Sequence, residues 1–215
     1  MTTGWYGKVP ARGDFVSHAI PAAQLRVWDG WLQRGLKHAA SVFGAAGFEQ
    51  RLRAFAPWRW LAWPSGQTGD LLAGVLVASS DRVGRSFPLL LQQGLTNDRL
   101  AKLGWGRIEA ALTRLTQAAA LAADTQRGAD FELTLRGLGD VFDAAAAAAP
   151  ARTPARNPRG ALQLLAGSPG TASLWWTAPA DDHAPVPLGD AWPPHPELLV
   201  DLLGVADPKP DSLLA

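Results

Sequence analysis

The sequence predicts an α/β fold, a layered α-β-α sandwich around a mixed central β-sheet. Short apolar segments typical of strands occur in groups, and segments with apolar residues at helical spacing separate those groups. The chain has 215 residues, of which 47% are hydrophobic and 18% are charged, so it can bury a sizeable core. We therefore expect a single domain that covers residues 1–215.

The N-terminal segment predicts one strand followed by two helices. Trp5–Val9 has the character of a strand, and Pro10 is expected to end it. A helix is predicted to begin at Pro21, because proline is tolerated in the first helical turn. Its apolar residues recur at helical spacing, and Gly44 is a plausible stop. A second, shorter helix is predicted over Phe48–Phe55.

The middle of the chain predicts three strands and then two helices. Apolar runs typical of strands occur at Trp58–Trp63, Leu72–Ser79 and Phe87–Gln92. Helical patterns follow at Arg107–Ala123 and at Phe131–Ala149, the second of which ends in a run of alanines. This grouping is the main reason for expecting helices packed on a sheet.

The C-terminal part begins with a connector rich in proline and arginine, Ala151–Gly160. Two further strands are predicted at Leu162–Ala166 and Ala172–Thr177, and a closing helix at His195–Leu203. The segment 161–215 is short for an independent domain. We expect it to complete the same fold.

The ten tryptophans have two possible explanations, core packing or a platform that stacks nucleic-acid bases. Trp28, Trp58 and Trp60 fall on periodic apolar faces, which favours core packing. Trp175 and Trp176 are adjacent in a predicted strand, so their side chains must point to opposite faces. We expect one of the pair to leave the main core or to cover a second layer.

Composition and the first residues predict a cytoplasmic protein. The chain has no cysteine, which excludes disulfides, thiolate nucleophiles and cysteine-ligated metals and is compatible with a reducing compartment. Residues 1–20 lack the basic and apolar pattern of a signal peptide. The longest nearly apolar run, Leu71–Ala78, is far shorter than the roughly 20 residues that span a bilayer. We expect no insertion into a membrane.

The charges are unevenly distributed along the chain. Residues 1–160 carry 19 basic and 12 acidic side chains, whereas residues 161–215 carry one and seven. This asymmetry indicates either an acidic tail folded against a basic body or two faces for different partners. The basic residues are dispersed and form no stripe, so nucleic acid is not an expected partner.

The sequence contains no recognised catalytic motif. The sequence has no G-x-S-x-G elbow, no phosphate-binding P-loop and no complete dinucleotide fingerprint. Asp181–His183, with His195 further along, could bind zinc, but a solvated acidic loop explains this unspecific spacing better. We therefore predict no metal and no cofactor.

Two charged turns remain, Gly7–Asp14 and Asp81–Arg85, and each follows a predicted strand at an end of the sheet. One interpretation is structural: an aspartate of either turn pairs with Arg82 or Arg85 and fixes the two loops together. The other is functional: rigidly held loops present arginines to an acidic or phosphorylated partner. The structural interpretation is favoured, although both can hold.

The same turns carry a resemblance to a known family. Gly4–Val16 (GWYGKVPARGDFV), Val27–Gln33 (VWDGWLQ) and Ser79–Leu89 (SSDRVGRSFPL), in this order and spacing, resemble TagF, also called ImpM. That family accompanies the bacterial type VI secretion system. Ala172–Thr177 (ASLWWT) is similar to its later strand. The clear match covers about the first 100 residues, and residues 1–145 contain the best-matching part.

The resemblance implies a cytoplasmic α/β sandwich without established catalysis. It also implies a post-translational role as a negative regulator of secretion, exerted by engaging a forkhead-associated (FHA) scaffold protein. The pathway is one balanced by a threonine kinase and a phosphatase. Some relatives carry a fused phosphatase domain, for which this chain has neither the length nor the several metal-binding aspartates. The family offers no assigned catalytic residue to carry over.

We expect, on this basis, a non-enzymatic repressor that binds a partner protein. The candidate partner-binding residues are Lys8, Arg12, Asp14, Asp29, Asp81, Arg82 and Arg85. The residues expected to shape the loops and to anchor the first helix to the sheet are Gly7, Pro10, Gly13, Trp28, Gly84 and Pro88. The alternative is a hydrolase or binding protein for a phosphorylated small molecule that uses the same arginine-bearing loops. A third possibility is a structural baseplate component of the secretion machine.

Overall fold

A computed structural model of the chain describes residues 2–64, 70–124, 130–147, 172–177 and 188–204. Its strands are β1 (Gly4–Gly7), β2 (Val16–His18), β3 (Trp58–Ala62), β4 (Leu71–Val77), β5 (Leu89–Leu95), β6 (Ser173–Thr177) and β7 (Leu188–Asp190). Its helices are α1 (Ala22–Arg53), α2 (Asn97–Leu103), α3 (Trp105–Ala123), α4 (Phe131–Gly137), α5 (Val141–Ala147) and α6 (Pro196–Gly204).

The described strands form one seven-stranded sheet in the order β2-β1-β5-β4-β3-β6-β7. The α/β fold class predicted from the sequence is confirmed. The prediction of a mixed sheet differs from the structure in one respect, because every strand pairing in the described ranges is antiparallel. For the pairs β1–β2, β3–β4 and β4–β5, the physical reason is that the connections are short, whereas parallel neighbours need longer crossovers.

Helices cover both faces of the sheet, which gives the expected three layers. Helices α1 and α6 pack on a face rich in tryptophan, whose core contains Trp28, Trp31, Trp58, Trp60 and Trp175. Helices α3, α4 and α5 pack on an aliphatic face, whose core contains Val75, Leu91, Leu112, Leu115, Phe142 and Trp176. Core packing of the periodic tryptophans is therefore confirmed, as is the opposite orientation of Trp175 and Trp176.

In two of the predicted helical regions, a glycine with a positive φ interrupts the helix. The backbone of α1 is non-helical at Gly44, where φ is 69°, so the predicted stop there is a break between two helical segments. The single helix predicted over Phe131–Ala149 is wrong. The chain instead forms α4 and α5, with Gly139 at a φ of 58° between them. The alanine run favoured a helix, but it does not extend helical structure back across that glycine.

The sequence missed three short elements, namely β2, α2 and β7. Each is short, and α2 depends on one local signal: Thr96 accepts a hydrogen bond from the Arg99 backbone N–H at 3.3 Å and caps the helix. The predicted strand at Leu162–Ala166 and the connector Ala151–Gly160 lie outside the described residues.

The strand order brings the two charged turns together. Strands β1 and β4 are both antiparallel to β5, so they run in the same direction and end at the same edge of the sheet. Gly7 and Val77, their last residues, are both paired with Leu89. The N-terminal loop (residues 8–15) and the arginine loop (residues 78–88) therefore lie side by side at this loop edge. The sequence predicted that each turn lies at an end of the sheet, but it did not predict that both turns lie at the same end.

Candidate interaction surface

A buried carboxylate, Asp81, organises the loop edge. Its side chain accepts hydrogen bonds from Lys8 Nζ at 3.0 Å and Arg85 Nε at 2.6 Å. It also accepts hydrogen bonds from the backbone N–H groups of Val83 at 3.1 Å and Arg85 at 2.9 Å. Asp81 is only 2% exposed, and Lys8 is buried beside it. The aspartate thus ties the start of the N-terminal loop to the turn of the arginine loop.

The electrostatics of Asp81 follow from these contacts. Burial by itself raises the pKa of the Asp81 carboxyl, because it disfavours the charged form. The hydrogen bonds from the Arg85 backbone, Lys8, the Arg85 side chain and Val83 outweigh that effect and hold the pKa well below its ordinary value. Asp81 is therefore ionised at neutral pH, which makes it a weak base with its oxygens already occupied.

Further hydrogen bonds join the two loops directly. The Arg82 backbone N–H donates to the Arg12 carbonyl at 2.8 Å, and the Arg85 guanidinium donates to the Gly13 carbonyl at 2.9 Å. The Ser79 hydroxyl donates to the Lys8 carbonyl at 2.7 Å. The two loops therefore form one unit that is held at several points along its length.

Two glycines are required by the backbone of this unit. Gly7 has a φ of 145°, and a Cβ there would lie 2.2 Å from the Pro88 carbonyl oxygen. Gly84 has a φ of 85° at the turn of the arginine loop, a conformation that side-chain-bearing residues rarely adopt. Pro88 is buried directly before β5, whereas Pro10 and Gly13 are half-buried in the N-terminal loop.

The outer side of the unit carries arginines. Arg12 is exposed and pairs with Glu132 of α4 at 2.9 Å, and the pKa of Glu132 is lowered chiefly by this hydrogen bond. Arg82 and Asp14 are also exposed. Among the residues that the structure describes, neither side chain has a hydrogen-bonding or ionic partner. Arg85 is exposed as well, although its guanidinium also pairs with the buried Asp81.

Trp28 and Asp29 lie on α1, which packs on the tryptophan-rich face of the sheet. The Trp28 indole is buried, donates from Nε1 to Gln92 of β5 at 2.8 Å and packs against Trp60. Asp29 accepts hydrogen bonds from the Tyr6 hydroxyl and from Gln33 Nε2. Burial and the Asp29 carboxylate raise the pKa of Tyr6. The structure therefore does not bring Asp29 together with the arginines.

Sequence reasoning missed two apolar side chains of this surface. Phe15 is 47% exposed in the N-terminal loop, and Val83 is 70% exposed at the turn of the arginine loop. Their signal was present as an apolar residue next to the charged and glycine-rich part of each motif. Exposed apolar residues are individually common, so this signal alone does not indicate a binding surface.

The described part of the chain shows neither a metal-binding cluster nor a helix suited to span a membrane. No group of three or more His, Asp or Glu side chains there is arranged to hold a metal ion. His195 instead pairs with Asp190, Nδ1 to Oδ1 at 2.7 Å, and this contact raises the pKa of His195. Asp181–His183 lies outside the described residues. None of the described helices has both the length and the hydropathy to cross a bilayer.

Comparison with known proteins relates this chain to one family. The family model described as the TagF N-terminal domain, type VI secretion system-associated, matches residues 4–138. A crystal structure of PA0076 from Pseudomonas aeruginosa PAO1 is similar, with a TM-score of 0.67 and 24% sequence identity over 100% of this chain and 99% of that one. At that identity the similarity shows the fold alone. No curated protein matches this chain.

Proposed function

This chain belongs to the TagF family of type VI secretion-associated proteins, whose N-terminal domain it contains, and we propose that it is a non-enzymatic cytoplasmic regulator of that system. In this proposal it acts post-translationally and represses secretion by binding an FHA scaffold protein. The N-terminal loop and the arginine loop provide the binding surface. The repressor role and the scaffold as partner are what the family resemblance implies.

The observation that carries the proposal is the position of Arg82. Its side chain is exposed and has no partner among the described residues, yet its backbone is fixed by the Arg12 carbonyl and by the neighbouring Asp81 turn. A rigid loop that presents an arginine binds at a lower entropic cost than a loop that must first become ordered. Arginine is also enriched among the residues that dominate binding energies at protein interfaces.

The chemistry of the loops supports binding over catalysis. A hydrolase for a phosphorylated small molecule needs a base or nucleophile beside its arginines. The buried carboxylate there, Asp81, has a lowered pKa and accepts hydrogen bonds from three residues, so it is poorly suited to remove a proton. The other carboxylate of the two loops, Asp14, is exposed, and no described residue positions it as a base. Arginines that face solvent in such surroundings suit recognition of an acidic surface.

The test is a calorimetric titration of the full chain with the FHA scaffold protein encoded in the same secretion locus. We expect micromolar or tighter binding by the wild type, and about tenfold or greater weakening by Arg82→Ala. The free energy of unfolding should stay within about 0.5 kcal/mol of wild type, because the removed side chain makes no hydrogen bond or ion pair among the described residues. Arg85→Ala is unsuitable for this purpose, since Arg85 also supports Asp81.

The matched control is Arg114→Ala, which removes another exposed arginine, on α3 and outside the two loops. It should bind like the wild type. Lack of binding by the wild type, together with unchanged secretion in a strain that lacks the protein, would overturn the proposed function. Binding that Arg82→Ala and Arg114→Ala leave equally intact would keep the scaffold as partner but move the binding surface away from the arginine loop.

A further inference from the structure

The two loops expose apolar side chains next to their cations. Phe15 in the N-terminal loop and Val83 in the arginine loop are among the five large hydrophobic residues that the described part of the chain leaves exposed. Arg82 directly precedes Val83, and the Arg85 guanidinium reaches across to the carbonyl of Gly13. Such a combination of an aromatic ring, an aliphatic side chain and arginines is typical of the centre of a protein interface.

Phe15 is fixed in its exposed position by the aromatic residues beneath it. Its ring stacks on Tyr6 at a centroid distance of 5.7 Å and meets the edge of Phe87 at 4.7 Å. The ammonium group of Lys8 lies 5.2 Å from the ring centroid. About half of Phe15 is therefore used for packing, and the other half is presented to solvent in a defined orientation.

Val83 is fixed by the turn that carries it. Its backbone N–H donates to Asp81, and the following residue, Gly84, adopts the positive φ that the turn requires. The Gly84 backbone N–H also donates to the Asp81 carbonyl at 2.9 Å. The valine side chain, 70% exposed, thus projects from a preorganised turn and would lose little backbone freedom on binding.

Within the two loops the exposed charge is mainly positive, and the neighbouring acid Glu49 of α1, which approaches Ser86, is paired with Arg53. Arg12, Arg82 and Arg85 are all exposed, whereas Asp14 is the one exposed acid within the two loops. Glu132 neutralises part of the charge of Arg12 from α4. A binding segment with acidic residues would therefore be attracted to this surface, whereas a basic one would be repelled.

We propose that the two loops form a docking surface for an acidic segment of a partner protein, which places an apolar side chain against Phe15 and Val83 and its carboxylates against Arg82 and Arg85. The inference rests on the proposed function only in taking the occupant to be a protein. It adds the chemistry of the recognised segment and assigns to the binding surface Phe15 and Val83, which are not among the binding residues expected from the sequence.

The first experiment measures affinity for the FHA scaffold in wild type and in Val83→Asp. An added carboxylate on an exposed side chain should leave folding intact but weaken binding at least tenfold, since it repels the acidic segment and removes an apolar contact. Val42→Asp is the matched control, because it makes the same change on α1, where Val42 is 52% exposed. Raising the salt concentration should weaken wild-type binding, because exposed charges are then screened.

The outcomes of this experiment separate the two proposals. Scaffold binding that Val83→Asp leaves intact, or that salt does not weaken, would overturn the acidic-segment inference while the proposed function stands. Phe15→Ala gives a second readout. It should weaken binding without abolishing the circular dichroism of the folded protein, and unchanged affinity would likewise contradict the inference.

A second experiment tests the inference even if the scaffold does not bind. The photoreactive variant Val83→p-benzoylphenylalanine is expressed in the host cells and irradiated, and the cross-linked peptide is identified by mass spectrometry. We expect the attached peptide to be an acidic segment of a protein, with no equivalent product from Val42→p-benzoylphenylalanine. A basic or uncharged peptide, the absence of a product, or binding of the protein to phosphatidylserine vesicles that Val83→Asp abolishes would overturn the inference.

Discussion

At each end of the sheet a buried polar side chain joins neighbouring segments of the chain, but the two ends leave different groups exposed. At the loop edge, Asp81 fixes two loops, and arginines and apolar side chains remain on the outside. At the opposite end, buried Gln93 of β5 donates to Thr3 and to the Gly139 carbonyl and accepts from the Val141 backbone N–H at 3.1 Å. That amide fixes the N-terminal residues to the break between α4 and α5.

The arginines show the difference most clearly. Arg99, near the opposite end, donates to both oxygens of Asp140 at 3.1 Å and to Asp143 at 2.6 Å, and its side chain is only 25% exposed. Arg82 at the loop edge has no such partner among the described residues. An arginine whose donors are already used stabilises the fold. The comparison therefore favours the loop edge over the opposite end as the binding surface that the proposed function requires.

The largest loss of stability is expected from Asp81→Ala, which removes the carboxylate that holds the two loops together. Lys8 would then be buried without its carboxylate, and the backbone N–H groups of Val83 and Arg85 would lose their acceptor. We expect the lowest melting temperature of all the variants considered, together with loss of scaffold binding. Thermal unfolding followed by circular dichroism and a calorimetric titration would measure both.

The control for Asp81→Ala is Asp14→Ala, which removes the exposed acid of the N-terminal loop. Asp14 makes no hydrogen bond or ion pair within the described residues, so melting should not change. Binding should become slightly tighter, because one negative charge leaves a surface that attracts acids. Equal melting temperatures for Asp81→Ala and wild type would show that the buried aspartate does not hold the loops.

A smaller effect, confined to stability, is expected from Gln93→Ala at the opposite end. It removes three hydrogen bonds and leaves the Val141 backbone N–H buried without an acceptor. We expect the free energy of unfolding to fall by about 2–3 kcal/mol in urea titrations, with unchanged affinity for the scaffold. Gln33→Ala, on the exposed part of α1, should cost less than about 0.5 kcal/mol. Weakened binding by Gln93→Ala would remove the distinction between the two ends.

The sequence alone was sufficient for the features that depend on local pattern. Alternation along a strand placed Trp175 and Trp176 on opposite faces, and Gly44 marked a break in α1. The charged turns also stood out because glycine, proline and aspartate have strong positional preferences. The contribution of each of these residues is set largely by its immediate neighbours in the chain.

The features that sequence reasoning missed depend on contacts between distant residues. Nothing local indicates that Lys8 is buried beside Asp81, that Arg12 pairs with Glu132, or that Gln93 holds the turn after α4. The same long-range packing decides which arginine remains exposed without a polar partner in the described part of the chain. The pairing of Asp81 with Arg85 was among the interpretations of the sequence, but the exposure of Arg82 without a polar partner among the described residues required the structure.

The pH dependence of stability tests whether a buried, ionised aspartate stabilises each end of the sheet. Asp81 and Asp140 are both partly or fully buried, which raises their pKa values. The hydrogen bonds they accept, chiefly from the Arg85 backbone and from Arg99 respectively, reverse this and hold both pKa values below the ordinary range. Because the folded value lies below the unfolded one, each ionised carboxylate stabilises the protein fully above about pH 5, and that stabilisation is lost as the pH falls below about 4.

Asp81→Asn and Asp140→Asn should each show this acid dependence in urea titrations between pH 3 and pH 7. The difference in unfolding free energy between wild type and either variant should be constant from about pH 5 to 7 and should narrow below about pH 4, because asparagine does not titrate. Scaffold binding above pH 5 should distinguish them, since only Asp81 supports the arginine loop. If the difference in unfolding free energy narrows for one variant alone, the two ends of the sheet are not stabilised in the same way by a buried aspartate. The difference in binding between the two ends could then not be assigned to the exposed arginines.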